Sequence, residues 1–362
     1  MPARVGGHGA LLSFSPPQRS PIHGKDGTRN DRGRDGGARQ GHPAADESSG
    51  TIKKRFDKIK LESTFESRRA YRELLFSAPG AEKYISGVIL YDETIRQKSS
   101  DGRPFPELLA SRGILPGIKV DAGAKPLAGF PGETITEGLD GLSERLAEYR
   151  GLGARFAKWR AVIDIGAGIP TGYAIEANAQ ALARYAALCQ EASIVPIVEP
   201  EVLMDGDHTI ERCEEVTDRV LTTVFNALFM QRVHLEGIVL KPNMVIAGKK
   251  CAVQASPQQV ADATLRCLRR RVPAAVPGIA FLSGGQSEAE ATLHLSLMNR
   301  AGAPPWQLSF SYGRALQQST LDAWRGEASM VATAQQTFLR RARLNGLARN
   351  GSYDAAMEQA AA

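Results

Sequence analysis

Residues 194–202 read IVPIVEPEV, a short apolar run that carries two glutamates, Glu199 and Glu201, near its end. Such a run suits a buried strand, and side chains two residues apart on a strand point to the same side. The texture recurs at SGVILYD (86–92), ILPGIKVD (114–121), FAKWRAVIDI (156–165), LEGIVLKPNMV (235–245), GIAFLSGGQ (278–286) and WQLSFSYG (306–313). Stretches with helical period lie between them, among them YAIEANAQALARYAALCQEA (173–192), SPQQVADATLRCLRRR (256–271) and SEAEATLHLSLMNR (287–300). Repeated βα units predict a parallel sheet. Seven strands, with room for an eighth near residue 44, predict an α/β chain with a single (β/α)8 TIM barrel over residues 44–348.

The rest of the composition fits one large folded unit. At 362 residues and 43% apolar content the chain can bury a sizeable core. Residues 1–43 are rich in Gly, Pro, Arg and Ser without an apolar period, which predicts a disordered or aberrant N-terminal segment; residues 349–362 form a C-terminal tail. The net charge is +6, but residues 1–45 hold seven Lys/Arg against three Asp, so four of those charges belong to this segment and only two to the remainder. The folded part is nearly neutral, and no nucleic-acid partner is expected. No run is long enough to span a membrane, so no membrane partner is expected either. Cys189, Cys213, Cys251 and Cys267 have neither CxxC spacing nor the density of a disulfide framework, which points to a reducing, cytoplasmic compartment.

In a barrel of this class the active site lies at the C-terminal ends of the strands, and here several strands end in charge. Lys119 closes the third, Lys158 and Arg160 lie two apart in the fourth, Glu199 and Glu201 two apart in the fifth, and Lys241 closes the sixth. Any one of these could be a salt bridge at the barrel mouth, but an apolar interior has no need of so many ionisable groups at one rim. A lysine in a water-poor pocket beside another cation sheds its proton more readily, and the free amine of Lys241 is then a nucleophile toward ketones. Glu199 and Glu201 supply proton transfer for imine formation.

Two further motifs suit anions. FLSGGQSE (281–288) sets Ser283, Gly284 and Gly285 between a strand and a helix, where backbone N–H groups and the helix N-terminus attract phosphate, and SYGR (311–314) does the same one strand later with Arg314. The position after strands seven and eight is a common phosphate location in such barrels. His8, His23 and His42 lie in the N-terminal segment, and His208, His234 and His294 show no metal-ligand spacing, so no metal and no other cofactor is expected.

AADESSGTIKKR (44–55), GIKVD (117–121), GARFAKWR (153–160), VPIVEPE (195–201), LKPNMV (240–245), FLSGGQS (281–287) and FSYGRALQ (310–317) closely resemble class I fructose-bisphosphate aldolase, in unbroken order from Ala44 to Ala348. The resemblance implies a metal-independent carbon–carbon lyase, usually a homotetramer, that reversibly cleaves fructose 1,6-bisphosphate to dihydroxyacetone phosphate and glyceraldehyde 3-phosphate in glycolysis and gluconeogenesis. Carried over by motif, Lys241 resembles the Schiff-base lysine, with Glu199 the main acid/base, Glu201 its neighbour, Lys158 a charge stabiliser near the imine and Asp46 acting on the hydroxyl released by cleavage. Ser283, Gly284, Ser311, Gly313 and Arg314 resemble one phosphate pocket. Lys119, Arg160, Ser48, Thr51 and Arg55 resemble groups near the other, with Thr51 where many members carry serine.

The chain departs from the family pattern upstream of Ala44. Members lead into AADES with an apolar strand, whereas this chain has RNDRGRDGGARQGHP (29–43), and Pro43 removes an N–H from a strand that should be paired on both sides. That strand is expected to pair poorly. Gln40-Gly41-His42-Pro43 can be encoded by bases that, read one position later, spell Lys-Gly-Ile, which motivates a pair of compensating indels that resequencing would test. The tail also lacks the terminal tyrosine that many members carry, and Tyr353 is too early to replace it. Two alternatives follow: a barrel scaffold impaired in catalysis by its disrupted first strand, or a Schiff-base aldolase for another phosphosugar.

Overall fold

A computed structural model describes residues 41–359. Seven parallel strands form one sheet in the order β1 (Gly87–Leu90), β2 (Leu115–Lys119), β5 (Phe156–Ile163), β6 (Val195–Val202), β7 (Val239–Leu240), β8 (Gly278–Phe281) and β9 (Gln307–Phe310). An antiparallel hairpin, β3 (Gly123–Pro126) with β4 (Thr134–Glu137), stands apart from it. The sequence reading placed no strands there. The hairpin packs on β5 beyond the point where β2 ends: Thr136 Oγ1 donates to Arg160 O (2.8 Å) and Thr134 Oγ1 to Val162 O (3.0 Å).

The two open edges of the sheet are joined by residues 41–45, which makes it a closed barrel. On one side Gly41 N–H donates to Tyr84 O and Ala45 N–H to Ile89 O; on the other His42 N–H donates to Phe310 O and Ala44 N–H to Tyr312 O. The expectation of a poorly paired first strand is therefore corrected, and its physical reason lies in the register. Gly41 bridges Ile85 and Ala44 bridges Ile89, so three steps on this strand face four on its neighbour, a bulge. Pro43, which has no N–H to give, sits opposite that bulge and still accepts from Ile89 N–H at 3.1 Å. Residues 41–43 thus belong to the barrel; the remainder of the expected disordered segment, and with it His8 and His23, lies outside the described residues.

The barrel interior is plugged at its lower end by an apolar layer to which nearly every strand contributes: Ala44, Ile89, Phe156, Ile197, Val239 and Ala280, with Leu115 and Val195 against them. Phe156 fills so much of this space, and Phe310 so much of the layer between the sheet and its helices, that their neighbours must be glycine. A Cβ at Gly117 would lie 2.2 Å from the Phe156 ring, and one at Gly41 only 1.9 Å from the Phe310 ring. Around the sheet, helices cover the outward faces, as in the Trp159–Tyr185 ring contact. The three helices read from the sequence form as Gly172–Glu191, Pro257–Arg271 and Glu288–Arg300, each started by a hydroxyl cap from Thr171, Ser256 and Ser287 respectively.

Candidate active site

Inward positions on a strand recur every second residue, so β5 that places Phe156 in the plug places Lys158 and Arg160 above it. Register then sets the neighbours: Lys119 stands beside Lys158, and Arg160 beside Glu199. Charges that are scattered over the sequence are by this means stacked over a dry floor.

The centre of the stack is a chain of ion pairs. Lys241 Nζ lies 3.2 Å from Glu199 Oε1, the other Glu199 oxygen lies 3.5 Å from Lys158 Nζ, and Lys158 Nζ lies 2.7 Å from Asp46 Oδ2. Lys241, Lys158 and Glu199 are each only 3% exposed, so water does little to screen them. Burial alone would raise the Asp46 carboxyl, but the ammonium groups of Lys158, Lys241 and Lys119 hold it well below the usual carboxylate range. Burial alone would lower Lys158, yet Asp46, Glu199 and Asp121 hold it well above its usual value. Lys158 is thus a fixed cation rather than a group that exchanges protons.

A second group sits at the rim. Arg160 Nε pairs with Glu201, whose carboxylate is thereby engaged by Arg160 rather than by Lys241. Asp121 was not singled out from the sequence, and it joins the two groups. Its oxygens lie 2.7 Å from Lys119 Nζ and 3.8 Å from Lys158 Nζ, and one accepts from Arg160 N–H. The signal was present in KVD, since Lys119 and Asp121 are two apart.

The glycine turn after β8 and the start of the helix after β9 supply the anion site. Gly284 and Gly285 adopt φ of +53° and +83°, a region that favours glycine. Behind the turn, Gln286 Nε2 donates to Ser283 O at 3.0 Å, and His294 holds the Gln286 carbonyl oxygen at 2.6 Å. Burial pushes the His294 imidazole down to about 4, so its ring is neutral at physiological pH and Nδ1 acts as the donor. Ser311 Oγ is buried and has no hydrogen-bond partner among the described residues. Gly313 and Arg314 start the helix Arg314–Trp324.

Arg55, one turn after Thr51 on the helix Ser49–Lys58, also reaches the other group of anion-site residues. A Cβ at Gly313 would be 3.4 Å from its guanidinium, so Arg55 borders the Gly313 side, where it also pairs with Glu47. Glu47, missed in the sequence reading, pairs in turn with buried Arg72 at 2.5 Å and anchors the strand end that carries Asp46. Ser48 and Thr51 stand at the first turn of the helix Ser49–Lys58, their hydroxyls 3.1 Å apart. His234 is exposed beside Glu236, and Tyr353 is buried against Ser296 and Glu358.

Comparison with known proteins agrees with this geometry. The profile of the family Fructose-bisphosphate aldolase class-I matches residues 37–362. A probable fructose-bisphosphate aldolase class 1 of Xanthomonas campestris is 60% identical over 86% of this chain and 93% of its own length. The cytoplasmic isozyme of fructose-bisphosphate aldolase from Spinacia oleracea is 56% identical over 86% of this chain and 87% of its own. Among solved structures, the fructose-bisphosphate aldolase of Plasmodium falciparum, crystallised in a ternary complex with TRAP and a small molecule inhibitor, superposes with a TM-score of 0.86 at 53% identity, covering 88% of this chain and 92% of that one. Among the described residues, no helix is long and apolar enough to cross a membrane.

Proposed function

The chain belongs to the class I fructose-bisphosphate aldolases, lyases of glycolysis, and from that membership we propose that Lys241 carries the sugar as a Schiff base while Glu199, Lys158 and Asp46 move its protons and hold its charges. The observation that carries this assignment is the unbroken chain from Lys241 through Glu199 and Lys158 to Asp46, at 3.2, 3.5 and 2.7 Å.

The Lys241 amine attacks the C2 ketone of fructose 1,6-bisphosphate. Glu199, within reach of Nζ, takes the proton that the Lys241 ammonium gives up before attack and returns it to the carbinolamine hydroxyl, which leaves as water and gives the protonated imine with one N–H retained. That imine draws the electron pair of the C3–C4 bond as it breaks. The C4 hydroxyl proton goes to Asp46, which Lys158 keeps ionised; its depressed basicity makes it an orienting acceptor that works as the forming carbonyl acidifies the hydroxyl. Glyceraldehyde 3-phosphate departs, a proton returns to C3 of the enamine, and water hydrolyses the imine to dihydroxyacetone phosphate. Ser283, Gly284, Ser311, Gly313 and Arg314 receive one phosphate of the substrate, with Arg55 on the Gly313 side of that pocket. Lys119, Arg160, Ser48 and Thr51 border the path of the other, and Glu201 acts by holding Arg160.

Borohydride reduction in the presence of dihydroxyacetone phosphate, followed by mass spectrometry of the peptide containing Lys241, tests the assignment. A reduced adduct on Lys241 is expected; a folded protein that forms none would overturn it. The homotetramer and the cytoplasmic location are inferred from the family, the latter supported by the cytoplasmic spinach relative.

A further inference from the structure

Lys249 lies in the loop after β7 and has no part in the mechanism above. Three hydrogen bonds tie this loop to the one after β6: Lys249 N–H to Met204 O (2.8 Å), Lys250 N–H to Gly206 O (2.9 Å) and Gly248 N–H to His208 O (2.8 Å). Gly248 permits the approach, since a Cβ there would lie 2.2 Å from Gly206 O. The tether delivers the Lys249 ammonium onto the glycine turn after β8. A Cβ at Gly285 would meet Lys249 Nζ at 2.3 Å and an Arg314 guanidinium nitrogen at 3.1 Å, so both cations crowd the face that the glycine leaves open.

Two like charges a few ångströms apart repel unless an anion lies between them. The turn beside them offers backbone N–H groups and the start of the helix Glu288–Arg300, which favour the same guest. The carboxylate that faces Lys249 is Asp205 at 3.3 Å, and both side chains of that pair remain partly exposed. A surface pair of this kind is weak and yields readily to a dianion.

We propose that Lys249 is a further substrate-binding residue, which leaves Asp205 to grip, together with Arg314, the phosphoryl group seated on the Ser283–Gly285 turn. The proposal rests on the reading of that turn as a phosphate pocket. Its role is in affinity and in selection for a dianionic phosphoryl group; it takes no part in bond breaking.

The test is steady-state cleavage of fructose 1,6-bisphosphate by the full chain and by Lys249→Met, Lys249→Arg, Asp205→Asn and Arg314→Ala, at low and at physiological salt, with inorganic phosphate as competing inhibitor. Lys249→Met is expected to raise KM about ten-fold, the loss of one charge-assisted contact, and to weaken phosphate inhibition in parallel while kcat moves by less than about two-fold. The salt dependence of KM should flatten with the lost charge, Lys249→Arg should restore most of the affinity, and Asp205→Asn should lower KM. A Lys249→Met KM and phosphate inhibition like those of the native chain, with Arg314→Ala clearly impaired, would overturn the role of Lys249 and leave the pocket standing. Unchanged binding in Arg314→Ala as well would remove the pocket itself and the proposal with it. Thermal melts of each variant separate these outcomes from misfolding, and Asp205→Asn gives the sign of the effect without touching the lysine.

Discussion

Lys158 is the residue on which the site's electrostatics turn, because three carboxylates, Asp46, Glu199 and Asp121, share its one ammonium group. Lys158→Met would leave them buried without it, at a cost of about 3–5 kcal/mol in stability. Urea unfolding should show that loss together with a fall in kcat. The pH dependence follows from the directions of the shifts. Asp46, lowered in the fold, contributes stability in full above its ordinary 3.8 and loses it as pH falls through its still lower native value. Lys158, raised in the fold, contributes in full below its ordinary 10.5 and loses it only as pH rises through its higher native value. The stability difference between the native chain and Asp46→Asn should therefore stay flat from about pH 5 to about pH 9 and shrink in acid below about pH 4, as read by denaturation at each pH. Lys241→Met should abolish the borohydride adduct and lower kcat by about 10⁴-fold or more, whereas Glu199→Gln should lower kcat by about 10²–10⁴-fold with Lys241 still in place.

At the scale of the element, the segment 41–45 decides whether a curled sheet becomes a barrel. Its tolerance of Pro43 depends on the bulge opposite, and its approach to β9 depends on Gly41. Gly41→Ala would drive a methyl into the Phe310 ring and should destabilise the chain by about 1–3 kcal/mol, visible as a lower melting temperature. Because Asp46 follows the same segment, that variant should also lose activity out of proportion to its change in substrate affinity. The scaffold alternative predicts instead that activity is absent from the start, which the native chain's aldol cleavage rate decides.

At the scale of the whole molecule, the barrel puts a dry apolar layer beneath a wet, charged rim, and chemistry is confined to the boundary between them. An imine mechanism needs no metal, so cleavage of fructose 1,6-bisphosphate should persist undiminished in excess chelator; a loss restored by a divalent ion would contradict the class I assignment. Light scattering should return the mass of four 39.0 kDa chains if the family's homotetramer forms.

The sequence by itself determined the βα alternation, the family, and the residue types at the strand ends, because periodicity and motif are local properties that neighbouring residues write directly. Lys119, Lys158, Glu199 and Lys241 could be named from their places at the ends of apolar runs. Only the tertiary structure decided the pairing of residues 41–45 around Pro43, since the bulge that permits it lies on another strand. It also decided which carboxylate serves which cation. Glu199 and Glu201 look equivalent in VPIVEPE, but one meets Lys241 and Lys158 while the other is held by Arg160. Asp121 reached Lys158 and Arg160, Arg55 reached Gly313 and Lys249 reached Gly285 in the same way, through contacts between loops and strands far apart in the chain, where the physical cause is register and burial rather than anything carried by neighbouring residues.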